Sequence, residues 1–323
     1  MDYTTLGKTG LRVSVAGLGA GGFSRLGLAT GKSEANAIAI VHAALDHGVN
    51  FIDTAAAYGT EEVVGKALKS VPRDRVVIST KASIASLDGE TLLAPDRVVA
   101  SLDNSLRLLG TDHVDVFQCH GVRPSAYDHV RTQIVPVLLQ EQAKGKFRHL
   151  GITEAGVVDH THEMLVRALR DEVWAVVMLA FHMMAQNARS LVFPPTQAGH
   201  VGTLLMFVVR SIFARPERLA LAMRELAASG ALPAWLTQQP DPLGFLVHEG
   251  GASSVTDAAY RFARYEPGVD VVLFGTGDPE HLRTNIESIL KPPLPAADRE
   301  RVISLFGHLV GVGLDRPPQA RER

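Results

Sequence analysis

The sequence predicts a (β/α)8 barrel: an α/β fold of eight parallel strands alternating with covering helices, opened by a short N-terminal β-hairpin. Three observations carry that expectation. Short β-branched runs alternate with longer stretches of helical period, the runs number eight, and none of them reads as a polar edge strand. Alternation of this kind places helices over a parallel sheet, and a count of eight without an edge favours closure into a barrel.

The elements follow in order. Residues 3–6 and 11–13 flank Gly7-Lys8-Thr9-Gly10, a glycine-bounded turn, so residues 1–13 are expected to form the hairpin. Strands are expected at 13–18, 49–52, 76–79, 113–117, 149–152, 175–179, 203–206 and 269–274. Amphipathic helices are expected between them, among others at 34–47, 61–70, 95–109 and 135–145. Strand ends recur roughly 30 residues apart, the length of a βα unit. The exception is a long insertion after the seventh strand, residues 207–268, with a helix at 216–228 and then a Pro/Gly-rich stretch at 230–251. Long loops in a compact domain are usually functional or mobile. The whole chain, 1–323, reads as one barrel domain, and the segment 315–323 (DRPPQARER) as a frayed tail.

Composition narrows the function classes. The chain has 323 residues, 46% hydrophobic and 20% charged, with 32 basic against 34 acidic side chains. A formal charge of −2 gives no global field that would draw nucleic acid or anionic lipid. One cysteine, Cys119, precludes an intrachain disulfide and fits a reducing compartment. The opening MDYTTLGKTG lacks the basic and apolar regions of a secretory signal. The longest apolar run, near 201–209, is about nine residues, against roughly 20 for a membrane span. A soluble cytoplasmic protein acting on a small molecule is the resulting expectation; the oligomeric state stays open.

Chemistry-bearing residues gather at the strand ends. In Phe51-Ile52-Asp53-Thr54-Ala55-Ala56-Ala57-Tyr58-Gly59 a strand delivers Asp53 to its C-terminal end, with Tyr58 five residues on. The next strand ends in Ser79-Thr80-Lys81 and the following one in Gln118-Cys119-His120. An acid, a phenol, an amine and an imidazole thus emerge at one rim, the face on which barrels place catalytic groups. Taken singly, each has an ordinary structural role; together they suit proton donation to a carbonyl oxygen. A buried ammonium favours a phenolate and should lower the pKa of Tyr58, Asp53 should keep Lys81 charged and oriented, and His120 should fix the carbonyl oxygen.

With these residues in place the sequence resembles the aldo-keto reductase superfamily, from the hairpin to about residue 290. The family's tetrad is an Asp in F-x-D-T-A, a Tyr before Gly, a Lys in S-T-K and a His after a strand ending in Gln-x, matched here by Asp53, Tyr58, Lys81 and His120. The resemblance implies hydride exchange between NADP or NAD and a carbonyl or alcohol, with Tyr58 as the proton donor. It also implies that Leu273-Phe274-Gly275-Thr276-Gly277-Asp278 and the helix after it receive the adenosine phosphate, with Asn285 against adenine. Glycines there let backbone N–H groups approach an anion. Gly275 and His281 stand where many members carry Lys and Arg, which weakens the case for strict NADP use. Ala20 and Gly21, in the loop after the first barrel strand, are expected to approach the cofactor, and Asp53 borders it. Thr153 and Glu154 replace the usual Ser-Asn and are expected to bond the carboxamide. Met178 stands where a Gln is frequent, and Met206 takes the place of the aromatic that stacks on nicotinamide; Phe207 next door should point the other way by strand alternation. Arg210 is a cation close to the expected pyrophosphate or substrate anion, or else a surface arginine.

Other signals compete. Gly17-Leu18-Gly19-Ala20-Gly21-Gly22 satisfies G-x-G-x-x-G, but a loop at 23–32 delays the helix until Ser33 and the acid that ends the next strand, Asp53, lies over 30 residues downstream, so a Rossmann site is disfavoured. His160-Thr161-His162-Glu163 among 13 histidines suggests metal, but i and i+2 diverge on a helix and no carboxylate partner stands at a strand end, so a solvated polar face is expected and no metal site. The alternatives to a reductase are a low-turnover cofactor-binding regulatory or sensor barrel, and a metal-dependent hydrolase. Substrate identity rests in loops 23–32, 121–129 and 230–251, whose mixed character suits a medium-sized aldehyde, ketone or sugar-like alcohol.

Overall fold

Each of the eight expected strands pairs in parallel with the next. The computed structural model describes residues 1–86, 89, 91–238 and 241–314; the expected frayed tail, 315–323, lies outside them. Ten strands are named along the described chain: β1 (Tyr3–Thr5), β2 (Arg12–Ser14), β3 (Ala16–Gly19), β4 (Phe51–Asp53), β5 (Val77–Ser83), β6 (Val114–Val122), β7 (Phe147–Glu154), β8 (Val176–Ala180), β9 (Gly202–Met206) and β10 (Val271–Phe274). β1 and β2 form the antiparallel hairpin, with Thr4 opposite Val13. The other eight close in the order β10-β3-β4-β5-β6-β7-β8-β9. The fold is a (β/α)8 barrel.

Local chemistry explains the boundaries. Helix Glu34–Asp46 starts at Ser33, whose hydroxyl accepts from the Asn36 N–H, and helix Pro95–Leu109 opens on a proline and stops at Gly110 in the left-handed region. Loop 23–32 is largely a 3₁₀ segment, Arg25–Thr30, so no helix follows β3 directly. β6 runs beyond its apolar portion through His120 to Val122, and β7 runs to Glu154. The long insertion is packed rather than loose: Leu219, Met223, Leu232, Leu236, Leu243 and Leu246 are all buried. Trp235 and Phe245 both lie against the Arg301 guanidinium on helix Ala296–Phe306. Among the described residues no helix is long and apolar enough to cross a membrane.

Two large hydrophobic regions result, beside a small one of Ala180, Ala185 and Leu314. One lies between the strands and the helices; the other fills the barrel with Phe51, Val77, Val116, Val176, Met178, Leu204 and Val271. Leu6 and Val13 of the hairpin belong to the inner region and close the barrel's N-terminal end. Gly7 sits at φ +48, and a Cβ there would lie 2.2 Å from the Gly202 nitrogen, so this turn is pressed onto the start of β9. Asp270 caps the same end by accepting from the Thr203 N–H at 3.0 Å.

The hairpin plug has a measurable weight. Leu6 is fully buried, so Leu6→Ala should lower unfolding free energy by about 2–5 kcal/mol in urea titrations, whereas Leu6→Met should cost under about 1.5 kcal/mol.

Candidate active site

Parallel register builds the first part of the site. Asp53, the last residue of β4, stands opposite Ser79 of β5, and Lys81 stands opposite Gln118 of β6. Side chains two apart on a strand share a face, so Val77, Ser79 and Lys81 form a column that changes from apolar filling to chemistry as it climbs. Lys81 is fully buried. Its Nζ donates to Asp53 Oδ2 at 2.6 Å and to the Thr54 carbonyl at 2.8 Å. Asp53 Oδ1 accepts from Ser79 Oγ at 3.0 Å, and Ser79 Oγ in turn accepts from Gln118 Nε2 at 2.8 Å. Ser79 and Gln118 were not singled out in the sequence, although their place two residues below Lys81 and His120 is the signal that would have found them.

Tyr58 enters from the short turn Ala56–Tyr58, which Gly59 ends at φ +68. Its ring centroid is 5.0 Å from Lys81 Nζ and 5.5 Å from the His120 ring, which meets it edge-on at 86°. A Cβ on Gly21 would lie 2.5 Å from Tyr58 Cε2, so glycine at 21 is what lets the loop after β3 close over the phenol. The Ala20 N–H donates to the Asp53 carbonyl at 2.7 Å and fixes that loop to β4. Asp53, Tyr58, Lys81 and His120 therefore converge, with Ala20 and Gly21 beside them.

The electrostatics differ from the expectation in one respect. Burial pulls the Lys81 ammonium down, yet Asp53 and Tyr58 outweigh it and hold Lys81 above the ordinary lysine range, so it stays charged. Burial, followed by the Lys81 charge, pushes His120 down to about 3 and leaves a neutral imidazole. For Tyr58, burial outweighs the opposing pull of Lys81, and the Asp53 charge adds to the rise, so the phenol sits above its ordinary value instead of below it. The sequence counted the ammonium and missed both the desolvation and the carboxylate behind it. Tyr58 is thus protonated at neutral pH, the state a proton donor needs.

A second group lies on the far side of the mouth. Thr153 Oγ1 accepts from the Gly121 N–H at 2.7 Å, tying β7 to the residue after His120. Glu154 turns inward: Oε1 accepts from the Ala180 N–H at 2.8 Å and Oε2 from His162 Nδ1 at 2.7 Å. The solvated polar face expected at 160–163 is thereby corrected. His162 is 2% exposed, and its carboxylate partner does stand at a strand end. Among the described residues no cluster of three His, Cys, Asp or Glu side chains is placed to hold a metal. Met206 is half-buried, with its Cε near Gly156, where a Cβ would come within 3.2 Å of it. Met178 is buried within the barrel filling. Phe207 leaves the strand at φ +68, so alternation does not extend to it. It stacks under Arg210 at 4.0 Å, while Phe23 covers the same guanidinium at 5.0 Å. Arg210 is 4% exposed, which removes the surface-arginine reading.

The third group is the turn after β10. A Cβ on Gly275 would meet the Gly19 carbonyl at 3.0 Å, and one on Gly277 would meet Gly27 Cα at 2.2 Å. Lys32 Nζ and Asn36 Nδ2 both donate to the Gly277 carbonyl, at 2.8 and 3.0 Å. Thr276 Oγ1 accepts from the Asp278 N–H at 3.0 Å. Asp278 caps helix Pro279–Leu290, with Oδ1 accepting from the Glu280 and His281 N–H groups and Oδ2 paired with Lys32. His281 is exposed, Asn285 is half-buried one turn further, and Arg283 is paired with Glu280 and Glu287.

Comparisons with known proteins agree with this architecture. A family model described as "Aldo/keto reductase family" matches residues 17–305. The chain is 37% identical over 159 residues to L-galactose dehydrogenase of Arabidopsis thaliana and 34% identical over 165 residues to aldo-keto reductase YhdN of Bacillus subtilis (strain 168). These matches cover 47% and 49% of this chain, and the chain spans about half the length of the curated relatives it matches, 48% of each. Among solved structures, aldo-keto reductase AKR11C1 of Bacillus halodurans in its holo form superposes with a TM-score of 0.70 at 22% identity, over 100% of both chains, which supports the fold. The chain belongs to the aldo/keto reductase family, whose general chemistry is NAD(P)H-dependent oxidoreduction.

Proposed function

We propose that this protein reduces a carbonyl group, or oxidises the matching alcohol, with Tyr58 as the proton donor. The observation that carries this reading is the buried Lys81, held by Asp53 at 2.6 Å and lying 5.0 Å from the phenol ring. A nicotinamide dinucleotide fits the donor set at this mouth: the family's chemistry is NAD(P)H-dependent, and the Thr153 hydroxyl, having accepted from the Gly121 N–H, still has a proton to donate. When bound, the cofactor supplies or takes up the hydride. Tyr58 gives its hydroxyl proton to the carbonyl oxygen, and Lys81 stabilises the phenolate left behind. Asp53 keeps Lys81 charged and aimed. Neutral His120 donates a hydrogen bond to the same oxygen without competing for its proton. Thr153 has accepted from Gly121 and keeps its own hydroxyl proton for a carboxamide oxygen. Ala20, Gly21, Met206 and Arg210 line the cofactor's path, and Gly275, Thr276, Gly277, His281 and Asn285 receive its adenosine end. Glu154 faces a carboxamide from behind the rim, with both oxygens already engaged.

The same reading takes residues 1–323 as one catalytic unit, cytoplasmic, acting on a small carbonyl or alcohol and not on nucleic acid or membrane. That one relative is a galactose dehydrogenase supports including aldoses in a substrate screen. NAD is favoured over NADP, or accepted equally. Asp278 already occupies the amides that would greet a second phosphate, Lys32 is spent on Asp278, and Arg283 on Glu280 and Glu287.

Three outcomes follow. Tyr58→Phe should lower aldehyde reduction about 10²-fold or more with cofactor affinity unchanged; steady turnover by the wild type also separates a reductase from a sensor barrel. Lys81→Met removes the charge that opposes the rise in the phenol's pKa. Alcohol oxidation needs the phenolate, so its pH–rate limb should move to higher pH, and an unchanged profile would make Lys81 structural. Fluorescence titration should give NADH a dissociation constant equal to or below that of NADPH at pH 8. A hundredfold NADPH preference at pH 8 contradicts this account of the turn.

A further inference from the structure

Strand β7 ends in a carboxylate that no solvent reaches, and a histidine from the following loop is bent out of its preferred conformation to meet it. His162 adopts φ +56, a left-handed backbone that L side chains seldom take. Such strain persists where surrounding bonds over-determine it and clusters at functional sites. Here the bond is His162 Nδ1 to Glu154 Oε2, 2.7 Å, between side chains 2% and 0% exposed. The other oxygen of Glu154 accepts from the Ala180 N–H, the last residue of β8. One carboxylate thus fastens the ends of two adjacent strands, and the histidine fastens the carboxylate. The surface in front is the wall expected to carry the nicotinamide: Gly156 lies against Met206 Cε, Ala180 Cβ and Glu154 Oε1, with 3.2, 3.3 and 3.4 Å to an added Cβ. On the same strand Thr153 grips the Gly121 N–H beside His120.

We propose that His162 is a positioning residue for the cofactor: through Glu154 it locks the ends of β7 and β8 into the shape that receives the nicotinamide. This inference rests on the proposed function and names a residue that function does not use directly. The groups facing His162 are Glu154 from β7, Asp159 from the loop between, and Asn187 from the turn before helix Ala188–Leu191. Asp159 is itself committed to capping helix Glu163–Ala168, accepting from the Glu163 and Met164 N–H groups at 2.9 Å each. Burial pulls His162 down, but the Glu154 charge and hydrogen bond outweigh it and hold the imidazole above its ordinary value; burial likewise lifts Glu154. While the imidazole holds its proton, the pair shares one proton and carries no net charge. A group whose pKa is raised in the folded state contributes below its unfolded value and loses that contribution as pH rises through the folded value. Loss of the proton strands a carboxylate in a buried wall, and the lock loosens on the alkaline side.

The test is NADH titration by fluorescence from pH 6 to pH 9, with kcat at saturating cofactor and ¹⁵N NMR titration of the imidazole. Wild-type dissociation constants should rise about fivefold or more toward pH 9. His162→Gln keeps an N–H donor for Glu154 but removes the imidazole's proton, so it should fold and its profile should depart from the wild type's. His162→Ala should bind NADH about tenfold more weakly at pH 6, with kcat changed less than about threefold. Linkage is reciprocal, so a tenfold preference for the locked state implies a rise of about one pH unit in the His162 titration when NADH binds. A His162→Gln profile that parallels the wild type, or lowered thermal stability with unchanged NADH affinity, overturns the inference alone. Wild-type protein that binds neither NADH nor NADPH overturns the proposed function and this inference together.

Discussion

A fully buried ammonium is the constraint from which the catalytic end of the barrel follows. Removing either member of such a pair costs about 3–5 kcal/mol, because the remaining charge has no water to turn to. Lys81 must therefore meet Asp53, and meeting it requires β4 and β5 in the one register that puts Asp53 beside Ser79. The Thr54 carbonyl takes a second ammonium proton, and Ser79 and Gln118 satisfy the far side of the carboxylate. Everything the phenol experiences descends from this arrangement. Burial keeps the Tyr58 proton in place, the Asp53 charge offsets part of the Lys81 pull, and in the proposed reaction the ammonium would hold the phenolate once the proton has gone.

The fold and the tetrad were legible because both are written in local terms. Strand period, helix caps at Ser33 and the opening proline of Pro95–Leu109 are short-range signals, and each of Asp53, Lys81 and His120 sits where its own strand leaves the apolar run. What was not legible depended on two segments meeting. His162 read as solvated because its own neighbours, His160 and Glu163, are polar; only the approach of Glu154 from β7 buries it. The Tyr58 shift had the wrong sign because desolvation is a property of the assembled mouth, not of a motif. Arg210 acquired its place only when loop 23–32 brought Phe23 to the guanidinium that Phe207 also contacts.

Glycine plays two distinct parts here. At Gly21 and Gly277 the missing side chain permits contact between segments far apart in sequence, the first with the Tyr58 ring and the second with Gly27. These two contacts bind loop 20–32 to the phenol at one end and to the turn after β10 at the other. A displacement of that loop is felt at both places, so the turn after β10 and the Tyr58 ring share one mechanical support.

The hairpin beneath the barrel has a consequence for traffic. With Leu6 and Val13 filling the base and Gly7 pressed against Gly202, the hairpin seals the N-terminal end of a packed interior. If Tyr58 gives up its proton as proposed, the replacement has to arrive from the C-terminal mouth, the side on which reactant would enter and product leave. On that reading, recharging the phenol and clearing the mouth are successive events in one queue, and the slower of them sets how soon the next molecule is served.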